Sequence, residues 1–260
     1  EAANAGKKIV ILEIQGMAGG NSIRSTGGMN AGKTPEQDKN SFDEAAGVEK
    51  TLKTAEEKYA DNATITALAA TVREQWAAYQ AAPSGYFDSV ELFELDTMIG
   101  GKGINNPELV HALASNSADA IQWLESVGAP LPSVSSFGGA SVKRIHRPVN
   151  AEGKTVSVGT FMLPILEENA KKLGADLRLE TRAKKLLVDE NGKIVGVEAE
   201  GPPGEKVTVN AKAVILASGG FGANLEMVTK YRPELEGFMT TNAKGALGDG
   251  ILMGEEARNL

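Results

Sequence analysis

Cysteine is absent from this sequence of 260 residues. Without thiols the chain can form no disulfide bond, no thiolate nucleophile and no cysteine-bound zinc or iron–sulfur cluster. Long apolar runs are lacking too: the longest are Ile9 to Leu12 and Ala213 to Ala217, whereas a membrane-spanning helix needs roughly 18 such residues. We therefore expect no membrane span and leave the redox compartment open.

An excess of positive charge is also lacking, because 27 Lys and Arg residues face 34 Asp and Glu residues. The basic residues are scattered, so we expect no nucleic-acid partner. Segment 1–8 is polar and lacks the apolar core of a secretory signal, which predicts no signal peptide in this chain and leaves its localisation unknown. The sequence does contain 42% hydrophobic residues, enough for a sizeable core.

Two short apolar runs lead directly into glycine-rich segments. Residues 8–13 are rich in β-branched side chains and end on an acidic residue, which predicts a buried parallel strand. Six glycines follow from Gly16 to Gly32. Ala213 to Ala217 predicts a second buried strand, which runs into Ser218-Gly219-Gly220. Such loops let a backbone approach a ligand closely, so the sequence predicts an α/β nucleotide-binding architecture.

Helical spacing of apolar residues predicts a hairpin of helices over 43–59 and 64–81, and a further helix over 160–173. Another helix is predicted to begin at Asn106-Pro107, to stop at Gly128 and to bury one apolar stripe. That stripe consists of Leu109, Leu113, Ala120, Ile121 and Leu124.

Strands are predicted over 177–181, 185–189, 194–198 and 206–209, with Asn191-Gly192 at a hairpin turn. Residues 133–159 are predicted to be a long polar loop.

Glu13 ends the first predicted strand. In dinucleotide-binding folds an acidic residue at the end of the second strand accepts hydrogen bonds from the adenosine ribose, about 20 residues beyond a glycine fingerprint. Only twelve residues precede Glu13, so that fingerprint would lie before residue 1. The alternative is that Glu13 only caps a strand at the surface, and the residues alone leave both interpretations open.

Motifs along nearly the whole chain occur in the order found in one protein family. They begin with Ile11-Leu12-Glu13, Gly19-Gly20-Asn21-Ser22 and Gly27-Gly28-Met29-Asn30-Ala31, and continue with Gly103-x-Asn105-x-Pro107-Glu108-Leu109-Val110, Asp119-Ala-Ile-Gln-Trp-Leu, Gly138-Gly139-Ala140-Ser141, Arg144-x-His146-Arg147-Pro148, Ala217-Ser218-Gly219-Gly220-Phe221 and Gly248-Asp249-Gly250. The sequence resembles the flavin domain of fumarate reductases of the flavocytochrome c type.

The resemblance implies an FAD/NAD(P)-binding, Rossmann-like three-layer α/β domain over residues 1–260, with a small β-meander. The helical stretch at about 34–100 corresponds to an insertion. The family's first strand and phosphate-binding loop would precede this chain. Its capping domain, with the His and Arg residues that bind substrate and donate a proton, would follow Gly248-Asp249-Gly250. The resemblance therefore assigns no catalytic residue within the sequence.

The cofactor implied is FAD. Glu13 would hold the adenosine ribose, and Ala183 would lie in the strand that contacts the adenine portion. Gly20, Asn21 and Ser22 would wrap the ribityl and pyrophosphate region, and Asn242 and Asp249 would lie near the ribityl chain. The isoalloxazine ring would lie beside the backbone of Gly27, Gly28, Met29 and Asn30. Ala217, Ser218 and Gly219 would form a second glycine turn against the cofactor. In membrane-complex relatives the position of Asn21 is a His bonded covalently to FAD, so Asn21 implies non-covalent binding.

The activity implied is hydride transfer from reduced FAD to a carbon–carbon double bond of an unsaturated acid, such as fumarate. Urocanate, aspartate and ketosteroids are substrates of related enzymes. The implied partners are a dicarboxylate substrate and an electron-donor domain or subunit carrying haem or flavin mononucleotide.

Two other classes stay open, namely a non-catalytic truncated flavin domain and a nicotinamide-dependent dehydrogenase that uses Glu13. The two histidines are assigned no catalytic role. His111 is predicted to have a packing or surface role. His146, with Arg144 and Arg147, is predicted to lie in a basic surface loop that pairs with nearby acids or phosphates, and the alternative role for His146 is a general acid or a carboxylate binder.

Overall fold

The computed structural model describes residues 2–258, which fall into two compact units. The first unit comprises Glu1–Ser25 and Leu163–Leu260, and the second comprises Thr26–Met162. The helices are α1 (Pro35–Asp38), α2 (Ala45–Lys58), α3 (Ala63–Ala81), α4 (Val90–Gly100), α5 (Pro107–Ser126), α6 (Val158–Lys172), α7 (Leu225–Tyr231) and α8 (Asp249–Arg258). The strands are β1 (Val10–Leu12), β2 (Met29–Asn30), β3 (Ser133–Ser135), β4 (Ile145–Arg147), β5 (Asp176–Arg178), β6 (Arg182–Val188), β7 (Ile194–Gly201) and β8 (Glu205–Asn210).

The first unit contains a parallel strand pair and an antiparallel meander. β1 pairs in parallel with β5. The parallel pairing predicted for residues 8–13 is therefore confirmed. β6, β7 and β8 form the meander in sequence order, and Gly192 turns between the first two with a φ of +77°. α8 packs on the meander through a core that includes Leu186, Val197 and Met253. The hairpin and the β-meander are therefore confirmed.

The sequence predicted that residues 8–13 and 213–217 form buried strands, and the structure differs at both segments. Residues 213–217 form no strand, and Ile215 is 83% exposed. Val10 and Ile11 in β1 are 37% and 38% exposed. A strand exists only where a neighbour supplies backbone partners, and among residues 2–258 the run 213–217 pairs with none.

The second unit is a helical bundle beside a small sheet. α2, α3, α4 and α5 surround a buried core that includes Ile65, Leu92 and Leu95. Asn62 caps α3 by accepting a hydrogen bond from the Ile65 N–H, which fixes where the predicted helical hairpin resumes. The hairpin of α2 and α3 is confirmed, whereas α4 was not predicted.

The sheet of the second unit corrects the predicted loop at 133–159. This segment contains β3 and β4, and β4 is the central strand of the order β2-β4-β3. Each strand has only two or three residues and few apolar ones, so periodicity gave no signal for them.

The buried stripe of α5 is also partly wrong. The helix begins at Pro107 with Asn106 as its cap, as predicted. Its buried side chains include Val110, Ala114, Ile121 and Leu124, whereas Leu109 and Leu113 are 71% and 57% exposed and Ala120 is exposed. Apolar residues occupy a wider part of the surface of α5 than packs against α4. The spacing of apolar residues alone therefore could not show which of them are buried.

Candidate functional site

Glu13 follows β1 directly. One carboxylate oxygen, Oε1, accepts a hydrogen bond of 2.7 Å from the Gln15 N–H. The second oxygen has no hydrogen-bond partner among residues 2–258, and the side chain is only partly buried. Glu13 therefore does stabilise the backbone at the end of the strand, and it still offers a free acceptor for a ligand hydroxyl.

The loop after β1 depends on glycine. Gly19 and Gly20 have φ values of +114° and +48°, in the region that side chains disfavour. A Cβ at Gly19 would lie 2.8 Å from that of Ile23, whereas a Cβ at Gly20 would have no neighbour within 4 Å. Asn21 and Ser22, the next two residues, are exposed. The loop thus presents backbone and polar side chains to open space.

The side chain of Asn21 is hydrogen-bonded to Asn242, another predicted site residue far away in the sequence. Its Nδ2 donates to Asn242 Oδ1 at 2.8 Å, and its Oδ1 accepts from the Ala243 N–H at 2.7 Å. Gly222 lies so close that a Cβ there would approach Asn242 Nδ2 to 2.4 Å. The structure therefore brings the loop after β1, residue 222 and the segment at 242–243 together, as a shared ligand site requires.

Ala217, Ser218 and Gly219 form an exposed glycine turn. Gly219 has a φ of +76° and open space beside it. In residues 2–258 no acceptor lies within hydrogen-bond distance of the backbone N–H groups of 217–220. Ser218 Oγ accepts from the Gly250 N–H at 3.1 Å, so the turn is fixed against the start of α8 while its own donors stay free.

Asp249 is held by an arginine that the sequence interpretation missed. Arg182 Nε and Nη2 donate to its two carboxylate oxygens at 2.8 and 2.7 Å, and this pairing raises the pKa of Arg182. Ala183, the next residue of β6, packs beside the Leu186 core. The pair ties β6 to α8. The ligand contacts predicted for Ala183 and Asp249 stay predictions, and no sequence signal identifies a partner 67 residues away.

In the second unit, Gly27 to Asn30 run along β4. Met29 and Asn30 form β2, opposite His146 and Ile145. A Cβ at Gly28 would lie 2.4 Å from the His146 carbonyl oxygen, whereas a Cβ at Gly27 would have no neighbour within 4 Å. Gly28 therefore packs directly against β4, whereas Gly27 has open space beside it.

His146 and Arg144 are not in a surface loop, which corrects the prediction for this motif. Their residues are 0% and 1% exposed. His146 Nδ1 donates to the Arg144 carbonyl at 2.8 Å, and its Nε2 contacts Thr34 Oγ1 at 2.7 Å. Since the carbonyl can only accept, the neutral ring carries its proton on Nδ1, and the threonine hydroxyl donates to Nε2. Burial lowers the pKa of His146 and favours this neutral form.

Arg144 does pair with acids, as expected for this basic motif. It donates to both oxygens of Asp88 and, at 2.6 Å, to Asp96 Oδ2. Ser141 N–H and Oγ also donate to that Asp96 oxygen. These acids raise the pKa of Arg144 against the opposing effect of its burial. Arg144, Asp88 and Asp96 are thus joined by hydrogen bonds, and the cluster ties α4 to the segment that leads into β4.

His111 has the surface role predicted for it. Its Nδ1 lies 2.7 Å from Glu94 Oε1, and its side chain is 66% exposed. No group of three or more metal-binding side chains occurs in the described part of the chain. None of the helices within 2–258 is long and apolar enough to cross a membrane.

Comparisons with known proteins identify the family of this chain. The FAD binding domain family matches residues 1–82 and 75–259. A fumarate reductase (cytochrome) of Shewanella frigidimarina is 37% identical over 98% of this chain and 36% of its own length. A urocanate reductase of Eggerthella lenta is 33% identical over 98% of this chain and 35% of its own length.

A solved flavocytochrome c3 fumarate reductase in its open conformation superposes with a TM-score of 0.74 at 34% identity, over 98% of this chain and 37% of that one. The chain thus spans about a third of the length of these relatives. The similarity confirms the α/β class and the resemblance read from the motifs. The chain belongs to the FAD binding domain family.

Proposed function

We propose that this chain carries FAD in a flavin-dependent reductase that transfers hydride to a carbon–carbon double bond of an unsaturated acid such as fumarate. One observation carries the proposal. In the first unit, distant segments converge through Asn21, Asn242 and Ala243, and they leave glycine backbone and unpaired N–H donors exposed.

The available groups fit the chemistry of FAD. A pyrophosphate and flavin carbonyls need hydrogen-bond donors, and the backbone of 217–220 offers them. Ribose hydroxyls need an acceptor, which the free oxygen of Glu13 supplies. Positive φ at Gly20 and Gly219 keeps side chains out of the way. Glu13, Gly20, Ser22 and Gly219 are therefore proposed as FAD contacts.

The proposed attachment is non-covalent. The residue at the relevant loop position is Asn21, whose amide is a poor nucleophile. Both polar atoms of that amide are already hydrogen-bonded to Asn242 and Ala243. Asn21 therefore shapes the site by linking its two sides.

When bound, FAD supplies the redox chemistry, and the residues of this chain bind and orient it. In the second unit, Gly27 to Asn30 would lie beside the isoalloxazine ring. Backbone N–H groups there stabilise negative charge on the reduced ring without the bulk of a side chain.

The proposed substrate is a dicarboxylate such as fumarate, and an electron-donor domain or subunit with haem or flavin mononucleotide is the proposed partner. Similarity to proteins named fumarate reductase supports this choice. Similarity to a urocanate reductase makes urocanate the second candidate. The substrate-binding and proton-donating residues are proposed to lie in the remaining two thirds of such proteins.

The test uses the chain expressed with the coding sequence that flanks it in its gene. The purified protein should show the absorption bands of flavin, should release FAD on denaturation, and should oxidise reduced viologen faster when fumarate is added. A faster rate with urocanate would move the substrate to the second candidate. Protein that folds but retains no FAD, even after incubation with excess cofactor, would contradict the proposal and favour a non-catalytic flavin-like domain.

A further inference from the structure

Arg147 is a cation bonded to backbone and to no acid. It lies in β4 and is half-buried. Its Nη2 donates to the Thr26 carbonyl at 2.9 Å, and its Nε makes a longer contact of 3.5 Å with the Gly27 carbonyl. No Asp or Glu within residues 2–258 forms an ion pair with it, in contrast to Arg144, the residue just before β4. Its charge is therefore directed at two peptide groups.

The two carbonyls fix the direction of two N–H groups. In a trans peptide the C=O and the N–H point in opposite directions. Because the Thr26 and Gly27 carbonyls face Arg147, the N–H groups of Gly27 and Gly28 point away from it. Neither N–H has an acceptor within the described chain, and the space beside Gly27 is open. Two donors are thus presented outward.

The guanidinium also strengthens these donors. A positive charge at the carbonyl end polarises the peptide, so the N–H at the other end binds an electron-rich acceptor more strongly. The shorter bond, to Thr26, acts on the N–H of Gly27. The longer contact, to the Gly27 carbonyl, has a weaker effect on the N–H of Gly28.

The segment cannot easily turn away from this orientation. A Cβ on Gly28 would approach the His146 carbonyl oxygen to 2.4 Å and Arg147 Cγ to 2.8 Å, so its backbone lies directly on β4. β4 is fixed in turn by the hydrogen bonds of His146 to Thr34 and to the Arg144 carbonyl. The donors are therefore preorganised, which is what makes electrostatic stabilisation effective.

We propose that Arg147 is a positioning residue that sets and polarises the Gly27 and Gly28 N–H groups toward the flavin, and so favours the reduced cofactor. The inference rests on the proposed placement of the isoalloxazine ring beside Gly27 to Asn30. Negative charge develops on that ring when it is reduced, whereas the oxidised ring is neutral. Donors strengthened by a cation therefore bind the reduced form preferentially.

The experiment is to measure the two-electron midpoint potential of bound FAD in the full-length protein and in Arg147→Met. Loss of one charge-assisted interaction should reduce the preference for reduced over oxidised FAD about tenfold, which lowers the potential by ~30 mV. Free energy of unfolding is measured in parallel, because a purely structural role for Arg147 would change stability and leave the potential unchanged.

Arg73→Met is the matched control. It removes the same charge from the same unit, where Arg73 is exposed and pairs with Glu56, and it should leave the potential unchanged. Arg147→Gln, which keeps a hydrogen-bond donor but no charge, should give a smaller decrease and carries the measurement if the Met variant does not fold.

An unchanged potential in a folded Arg147 variant would overturn the inference. Loss of FAD from both Arg147→Met and Arg147→Gln at unchanged stability would overturn it as well, because the donors positioned by Arg147 would then be required to bind oxidised FAD. A wild-type protein without FAD would instead refute the proposed function, and with it the basis of this inference.

Discussion

At the residue scale, the buried side chain of His146 should make the free energy of unfolding depend on pH. Burial lowers its folded-state pKa below the ordinary value of 6.5, so below that value the unfolded chain binds the proton more readily. The free energy of unfolding should therefore be highest above pH ~6.5 and decrease as the pH falls toward 5, by up to about 1.4 kcal/mol per pH unit for one proton.

The measurement is urea unfolding of the wild type and of His146→Asn between pH 7.5 and pH 5. The variant should be less stable at pH 7.5 and should show a shallower dependence on pH, while His111 is present in both. The pKa values of Glu44 and Glu91 are lowered from 4.5, so their stabilisation is lost below this window. Equal slopes in the two proteins would show that His146 does not titrate on unfolding.

Two adjacent glycines give a second test at this scale. Ala at position 28 would place a Cβ against the His146 carbonyl, whereas Ala at 27 would meet open space. We expect Gly28→Ala to destabilise the apoprotein by about 2 kcal/mol, a typical effect of overpacking, and Gly27→Ala to change its stability by less than about 0.5 kcal/mol. Chemical denaturation of both variants would measure this, and equal losses would contradict the contact between Gly28 and β4.

At the element scale, the Arg144 cluster holds α4 against β4. Removing the cation leaves Asp88 and Asp96 buried, with side chains 1% and 6% exposed and no countercharge. Arg144→Met should therefore lower the free energy of unfolding by about 3–5 kcal/mol, compared with less than about 1 kcal/mol for the exposed Arg73→Met. Adding Asp88→Asn and Asp96→Asn to the Met variant should restore most of the loss. If the triple variant did not recover stability, the loss in Arg144→Met would come from altered packing and not from the unpaired charges.

The elements also show what sequence could predict. Helices α3 and α5 begin where Asn62 and Asn106 cap them, because a cap is a local signal. β3 and β4 were missed because each has only three residues and few apolar ones. β4 is held instead by partners distant in sequence, such as Thr34, which contacts His146. Residues 213–217 have the pattern of a strand, but pairing is a tertiary property that a single segment does not encode.

The candidate site was predictable to a similar extent. The family resemblance assigned Asn21 and Asn242 to one cofactor site, which stays a prediction, and the structure shows that their side chains are hydrogen-bonded to each other. The resemblance did not identify Arg182 or Arg147 as partners of site residues, because such pairs are set by the fold.

At the scale of the whole molecule, ligand binding should stabilise the chain by mass action. FAD at 100 times its dissociation constant should raise the free energy of unfolding by about 2.7 kcal/mol, provided that the unfolded chain does not bind it. Flavin mononucleotide lacks the adenosine half, for which Glu13 is the proposed partner, so it should stabilise the chain less. Thermal unfolding with each ligand would measure the difference.

Glu13→Gln then tests the assignment of that residue. The substitution replaces a charged hydrogen-bond acceptor by a neutral one, so about ten times more FAD should be needed for the same stabilisation. Stabilisation by flavin mononucleotide should be unchanged. Asn191→Gln, in the exposed hairpin turn, is the control and should alter neither. An equal effect of Glu13→Gln on both ligands would place Glu13 away from the adenosine.

The contact between Asn21 and its partners has a consequence for biosynthesis. Asn21 is separated from Asn242 by 221 positions in sequence and from Ala243 by 222. Contacts of such sequence separation form slowly because a long loop must close first. A chain emerging from the ribosome exposes Asn21 long before Asn242 and Ala243 are translated. The proposed capture of the cofactor by this loop therefore follows the synthesis of residues 242 and 243, and nascent chains halted before residue 242 should emerge without flavin.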